Sequence, residues 1–92
     1  MCIIICENLK ISNIVITNEI SEKIEFKHHV SEFEINEVFN NQRYLKKTSA
    51  NQYKLIGRTI SGRCLTIFFK YFKGTAEIKS ARDADKSEKK RC

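Results

Sequence analysis

The spacing of apolar positions changes once along this chain, near Asn41. Before that point, Cys2–Ile5 and Leu9–Ile16 are runs rich in Ile and Val, which predict one or two short strands with Glu7–Asn8 as a turn. Ile20, Ile24 and His28 then recur four residues apart. That period predicts a helix from about Glu19 to His29, capped by Asn18. Glu19 with Lys23 and Glu25 with His29 are i,i+4 pairs that support its exposed sides. Ser31 and Glu34 have the spacing of a capping box, and Val30 with Ile35 fits the hydrophobic staple around it. A second helix is therefore expected at once, burying Ile35, Val38 and Phe39 and ending at Asn40–Asn41. His28 and His29 lie at the corner between the two helices.

Beyond Asn41 the period is two. Gln42–Thr48 reads as a weak strand, Ser49 to Asn51 as a turn and Tyr53–Ile60 as a strand. Ser61-Gly62 is expected to be a two-residue hairpin turn leading into the most hydrophobic strand, Arg63–Phe72. Lys73-Gly74 is a second tight turn and Thr75–Ala81 the next strand. Turns this short make neighbouring strands antiparallel. Leu65, Ile67, Phe69 and Tyr71 share one face of the long strand and Phe68 and Phe72 the other, so that strand is expected at the centre of the sheet. Ala84–Arg91 has weak helical character. The class is α+β: two short N-terminal helices packed on a twisted antiparallel sheet, with a short C-terminal helix.

With 92 residues the chain is expected to form one domain, residues 1–92. The apolar runs Cys2–Cys6 and Leu65–Phe69 fall far short of the roughly 20 residues of a membrane span. The first also lacks the basic start and small-residue cleavage site of a signal peptide, which points to a cytoplasmic protein with no membrane role. Cys2, Cys6, Cys64 and Cys92 do not pair as CxxC, and no histidine stands at zinc spacing from them. All four are therefore expected as reduced thiols, with no metal site and no cofactor.

Charge adds direction. Lys and Arg number 17 against 11 Asp and Glu, a net +6, but unevenly placed. Residues 1–41 carry three basic and seven acidic side chains, and residues 42–82 carry ten basic and only Glu77 acidic. A sheet at net +9 attracts phosphate backbones, anionic lipid or an acidic partner. Tyr44, Tyr53, Phe68, Tyr71 and Phe72 are interleaved with Arg43, Lys54, Lys70 and Lys73, a pattern in which bases stack on rings beside cations, although most such rings are expected in the core.

Three segments, EKIEFKHHVSEFEINEVF, IGRT-ISGR-L and SARDADKSEKKR, follow in order and spacing the pattern of the BrnT toxin family. Over residues 18–92 the chain resembles that family: a KH-V-S corner, an E-V-F helix end, an IGRT-xxGR hairpin and a terminal helix with SAR followed by a distant Glu. His29 stands where many members have Gly, Cys92 stands about where members often have Tyr, and Met1–Asn8 has no counterpart. The resemblance implies a RelE-like ribonuclease fold. It also implies a toxin that cleaves RNA and halts translation, held in a type II hetero-oligomer with a BrnA-like antitoxin.

Metal-free RNA cleavage lets the ribose 2′-hydroxyl attack the adjacent phosphate, so it needs a base, an acid and fixed cations. Arg58 and Arg82, in the IGRT and SAR motifs, are the expected phosphate-neutralising residues, because a guanidinium pairs two phosphate oxygens and stays charged. His28 is the expected proton-transfer group, with Lys27 as a substitute. Glu88, the acidic residue that matches the family helix, is a further candidate catalytic residue. Arg63, Lys54, Lys70 and Lys73 are expected to bind the RNA backbone. Two other readings remain open on the same scaffold: a catalytically silent nucleic-acid-binding module, and an interaction protein that docks an acidic partner.

Overall fold

The computed structural model describes residues 11–92. The expected strand Cys2–Ile5, the Glu7–Asn8 turn, Cys2 and Cys6 lie outside the described residues. The order is β1 (Asn13–Val15), α1 (Asn18–His28), α2 (Glu32–Asn40), β2 (Gln42–Ser49), β3 (Gln52–Arg58), β4 (Cys64–Phe72), β5 (Thr75–Asp83) and α3 (Lys86–Lys89). The five strands form one sheet in the order β1-β5-β4-β3-β2. β4 is therefore central, as its two apolar faces require.

The sheet differs from expectation at one edge. β2 to β5 run antiparallel, but β1 joins β5 in parallel, with Asn13 opposite Thr75 and Val15 opposite Glu77. The reason is topological. Everything from α1 to β4 intervenes between the two strands, and so long a connection permits a parallel edge that a tight turn forbids.

Each helix follows from its caps. Thr17, not Asn18, caps α1, its hydroxyl accepting from the Ile20 amide at 3.2 Å. α1 stops where His29 adopts the left-handed conformation, φ 55° and ψ 41°, and its N–H closes on the Glu25 carbonyl. A position that turns left-handed suits glycine, which explains the Gly of the family pattern. The Ser31–Glu34 capping box opens α2 as expected.

α1 lies against β5 and α2 against β3. Ile24, Val30, Ile35, Val38 and Phe39 pack on Leu55, Leu65, Ile67, Phe69, Ile78 and Ala81 in one core. Phe69 is its aromatic centre, 5.4 Å from the Phe39 ring and stacked at 5.7 Å on Tyr53. Gly57 of the IGRT motif is where α2 meets the sheet. A Cβ there would fall 2.8 Å from both Asn41 O and Val38 Cγ1, so the motif needs glycine for close approach.

The β3–β4 turn is longer than expected. Thr59 and Arg63 pair backbone to backbone around Ile60, Ser61 and Gly62, and Gly62 takes φ 95°. This is a three-residue loop with glycine in the left-handed position, in place of a two-residue turn. Lys73-Gly74 is the tight turn expected, both residues having positive φ.

Candidate nucleic-acid interface

Alternation along the strands sends a second set of side chains to the face away from α1 and α2. Across β3 and β4, Lys54 is opposite Phe68, Ile56 opposite Thr66 and Arg58 opposite Cys64. β5 reaches the same face through a bulge. Phe68 pairs with Ser80 but Phe69 with Ile78, so Lys79 is the extra residue. That insertion leaves Ile78 and Ala81 in the core and turns Arg82, opposite Thr66, to the open face. Tyr44 and Lys46 of β2 extend this face beside Ile56 and Lys54.

α3 and its flanks lie across the middle of that face. Asp85 caps α3 through a second capping box with Glu88, so the helix begins at Lys86. Glu88 is 5% exposed and sits in a ring of donors. Arg82 grips it with both arms at 2.8 and 3.0 Å, Thr66 Oγ1 donates at 2.9 Å, the Asp85 amide at 3.0 Å and Lys54 Nζ at 3.2 Å. Burial alone would push the Glu88 carboxyl up. The hydrogen bonds from Arg82, the Asp85 amide, Thr66 and Lys54 overcome it and hold the carboxyl at about 2, against an ordinary 4.5. Glu88 is thus an anion at neutral pH. Arg82 also lies over the Phe68 ring at 5.4 Å, and Arg91 over the Tyr44 ring at 4.5 Å.

Glu88 stabilises the fold wherever it is ionised when folded. The unfolded chain protonates it near 4.5, so its contribution is complete above that pH and drains away as pH falls toward about 2. Acid unfolding of the wild type is expected to lose roughly 2–3 kcal/mol across this window. Glu88→Gln removes that part of the pH dependence; an unchanged profile in denaturant titrations at pH 2–5 would refute the ion cluster.

The structure brings Lys54, Arg82 and Glu88 together, with Arg58 exposed on the same face and its guanidinium making no hydrogen bond or ion pair with the described residues. Lys70 is exposed further along the face, opposite Glu77, and Lys73 lies 5.3 Å from the Phe72 ring. Phe72 is 61% exposed, and with Lys70, Lys73 and Glu77 it lines an open depression of about 570 Å³. Lys27 and His28, at the end of α1, line a smaller hollow with Lys79 and Ser80 beside β5.

Arg63 is placed elsewhere. Being in step with Leu65, it turns toward the helices. Its guanidinium donates to Asp83 at 2.7 and 3.1 Å, to the His28 and His29 carbonyls at 2.9 and 2.7 Å, and to Glu34 at 3.3 Å. The Asp83 hydrogen bond raises the Arg63 pKa above its ordinary value, and Arg63 in turn lowers that of Asp83. Arg63 ties the α1–α2 corner to the end of β5.

Two features escaped the sequence reading. Thr66 carries no motif, and only the register of β4 reveals it. Cys64 and Cys92, expected as free thiols, form a disulfide with Cα atoms 6.3 Å apart. The folding of residues 84–92 back over β4 brings together two cysteines 28 residues apart, a proximity that spacing does not reveal. Among the described residues no group of three or more His, Cys, Asp or Glu side chains is placed to hold a metal, and no helix is long and apolar enough to cross a membrane.

The architecture is a small α+β fold with two helices on one face of a mixed sheet and a cationic opposite face. No family model matches the sequence, and no curated protein is found similar to it. Among solved structures, the fold is similar to that of BrnT, a ribonuclease toxin of Brucella abortus known from a 1.1 Å crystal structure. The TM-score is 0.69 at 18% identity, over 80% of this chain and 97% of that one. The BrnT-like architecture read from the motifs is therefore the observed one.

Proposed function

We propose that this chain is an endoribonuclease toxin of a type II toxin–antitoxin pair, acting in the cytoplasm on RNA without a metal. The observation that carries the reading is the cationic open sheet face, bearing Lys54 and Arg58 on β3 and Arg82 on β5, on either side of β4, in a fold shared with a ribonuclease toxin. In this reading the RNA backbone crosses the face. Arg58 and Arg82 neutralise the phosphate, Lys54, Lys70 and Lys73 track the strand, and Phe72 offers a ring for a base. His28 and Lys27 stand on α1, on the helix side of the sheet, and supply proton transfer where the RNA passes the Lys79–Ser80 edge of β5. The leaving 5′-oxygen gains a proton and a 2′,3′-cyclic phosphate remains. A BrnA-like antitoxin with an acidic segment covers the same cations, forming a hetero-oligomer.

A binding module without catalysis is the second reading, favoured by the engagement of Arg82 and Lys54 with Glu88. Incubation of the purified, reduced chain with total RNA, with and without EDTA, separates the two. Cleavage to 2′,3′-cyclic phosphate ends is expected. Activity that vanishes on adding EDTA would overturn the mechanism, and intact RNA despite salt-sensitive binding would favour the silent module.

A further inference from the structure

The most unusual group on the open face is its carboxylate. Glu88 is nearly inaccessible, yet it is held by two cations and a hydroxyl that belong to the sheet, Lys54, Arg82 and Thr66. The parallel grip of Arg82 on two oxygens is also the geometry in which a guanidinium holds the two non-bridging oxygens of a phosphodiester. The Phe68 ring lies beneath Arg82, where an adjoining base would stack.

The segment that delivers Glu88 is weakly built. α3 has four residues, too few to persist without tertiary support. Beyond buried Ala84, whose amide donates to the Cys64 carbonyl at 3.1 Å, its anchors are the Glu88 cluster, Arg91 over Tyr44, and the Cys64–Cys92 bridge. Cys64 and Cys92 are each only partly buried, so a thiol reductant can reach the bridge.

We propose that Lys54, Thr66 and Arg82 form a phosphodiester subsite, that Glu88 occupies it as a built-in competitor, and that the Cys64–Cys92 disulfide holds the competitor in place. The proposal rests on the ribonuclease reading for its substrate, RNA. Opening the bridge takes a thiol such as glutathione or dithiothreitol. Its thiolate attacks one sulfur to give a mixed disulfide, and a second reductant thiol releases it. The bridge gains two electrons and two protons as two cysteine thiols, and the reductant leaves as its own disulfide. Residues 84–92 are then tethered covalently at the β5 end alone, with only the Glu88 cluster and the Arg91–Tyr44 contact to hold the rest down, and the RNA phosphate competes for the donors that Glu88 held. The protein is closed when oxidised and open when reduced.

The test compares the full chain, oxidised and after dithiothreitol, with Cys92→Ser. Amide hydrogen exchange over residues 88–92 and the affinity for a short fluorescent oligoribonucleotide are both measured in EDTA. Reduction is expected to speed exchange and tighten binding by about tenfold or more, because affinity scales with the fraction of open molecules. Cys92→Ser is expected to match the reduced wild type with or without reductant. Exchange unchanged by reduction would overturn the latch, and faster exchange with unchanged affinity would overturn the subsite. Neither measurement depends on cleavage. An open form that binds RNA tightly but never cuts it therefore removes the ribonuclease reading and leaves the subsite standing.

Discussion

Replacing Arg63 by alanine is expected to lower the melting temperature by about 10–20 °C while leaving RNA binding by the folded fraction intact. The reason is the number of separate elements that one guanidinium joins. Its partners are the carboxylates of Glu34 and Asp83 and the carbonyls of His28 and His29. Truncation leaves these carbonyls and carboxylates without their shared donor, at a cost of about 2–3 kcal/mol, given that the side chain is still 26% exposed. For a chain of this size each kcal/mol shifts the melting temperature by roughly 4–8 °C. Arg63→Lys is expected to recover little, because an ammonium cannot reproduce the planar fork. Differential scanning calorimetry alongside RNA binding decides the matter. A stable variant with weakened RNA affinity would return Arg63 to the RNA-contacting set.

Arg58→Ala is the converse case. Arg58 is exposed and its guanidinium holds none of the described residues, so the melting temperature should move by no more than a few degrees. RNA cleavage by the reduced chain is expected to fall by about 10²–10³-fold, the worth of one positioned donor on the transition-state charge. Arg82→Ala should lose cleavage to a similar degree but also stability, because it strips the bidentate partner from buried Glu88. Adding Glu88→Gln to Arg82→Ala restores stability and not cleavage. The melting temperature and single-turnover cleavage of these variants, measured together, separate the roles. Undiminished cleavage by folded Arg58→Ala and Arg82→Ala alike would eliminate the proposed site.

The elements themselves were legible because their signals are local. The four-residue spacing of Ile20 and Ile24, the Ser31–Glu34 box and the Lys73-Gly74 turn each act over a few residues, and each appears where the sequence places it. α3 carries the same kind of signal in Asp85 and Glu88, three residues apart. The central position of β4 was legible for a related reason, since a strand apolar on both faces must be covered on both. The motif glycine Gly57 and the left-handed His29 likewise acquire physical reasons, close approach and backbone conformation, at positions that the sequence pattern had already marked.

The site divides differently. The sequence by itself determined the fold class, the capping box of α2, the β4 core and the concentration of cations after Asn41. It did not determine which way those cations face. The bulge at Lys79 decides that Arg82 reaches the open face, since strict alternation from Ala76 and Ile78 would have turned it toward the helices. The in-step position of Arg63 sends an apparently equivalent arginine into a structural clamp. The return of residues 84–92 over β4 is what seats Glu88 among Lys54, Thr66 and Arg82 and brings Cys92 to Cys64. A bulge costs one residue of register, and a bridge joins positions far apart in sequence. Both depend on how the whole sheet closes, so only the tertiary structure could decide them.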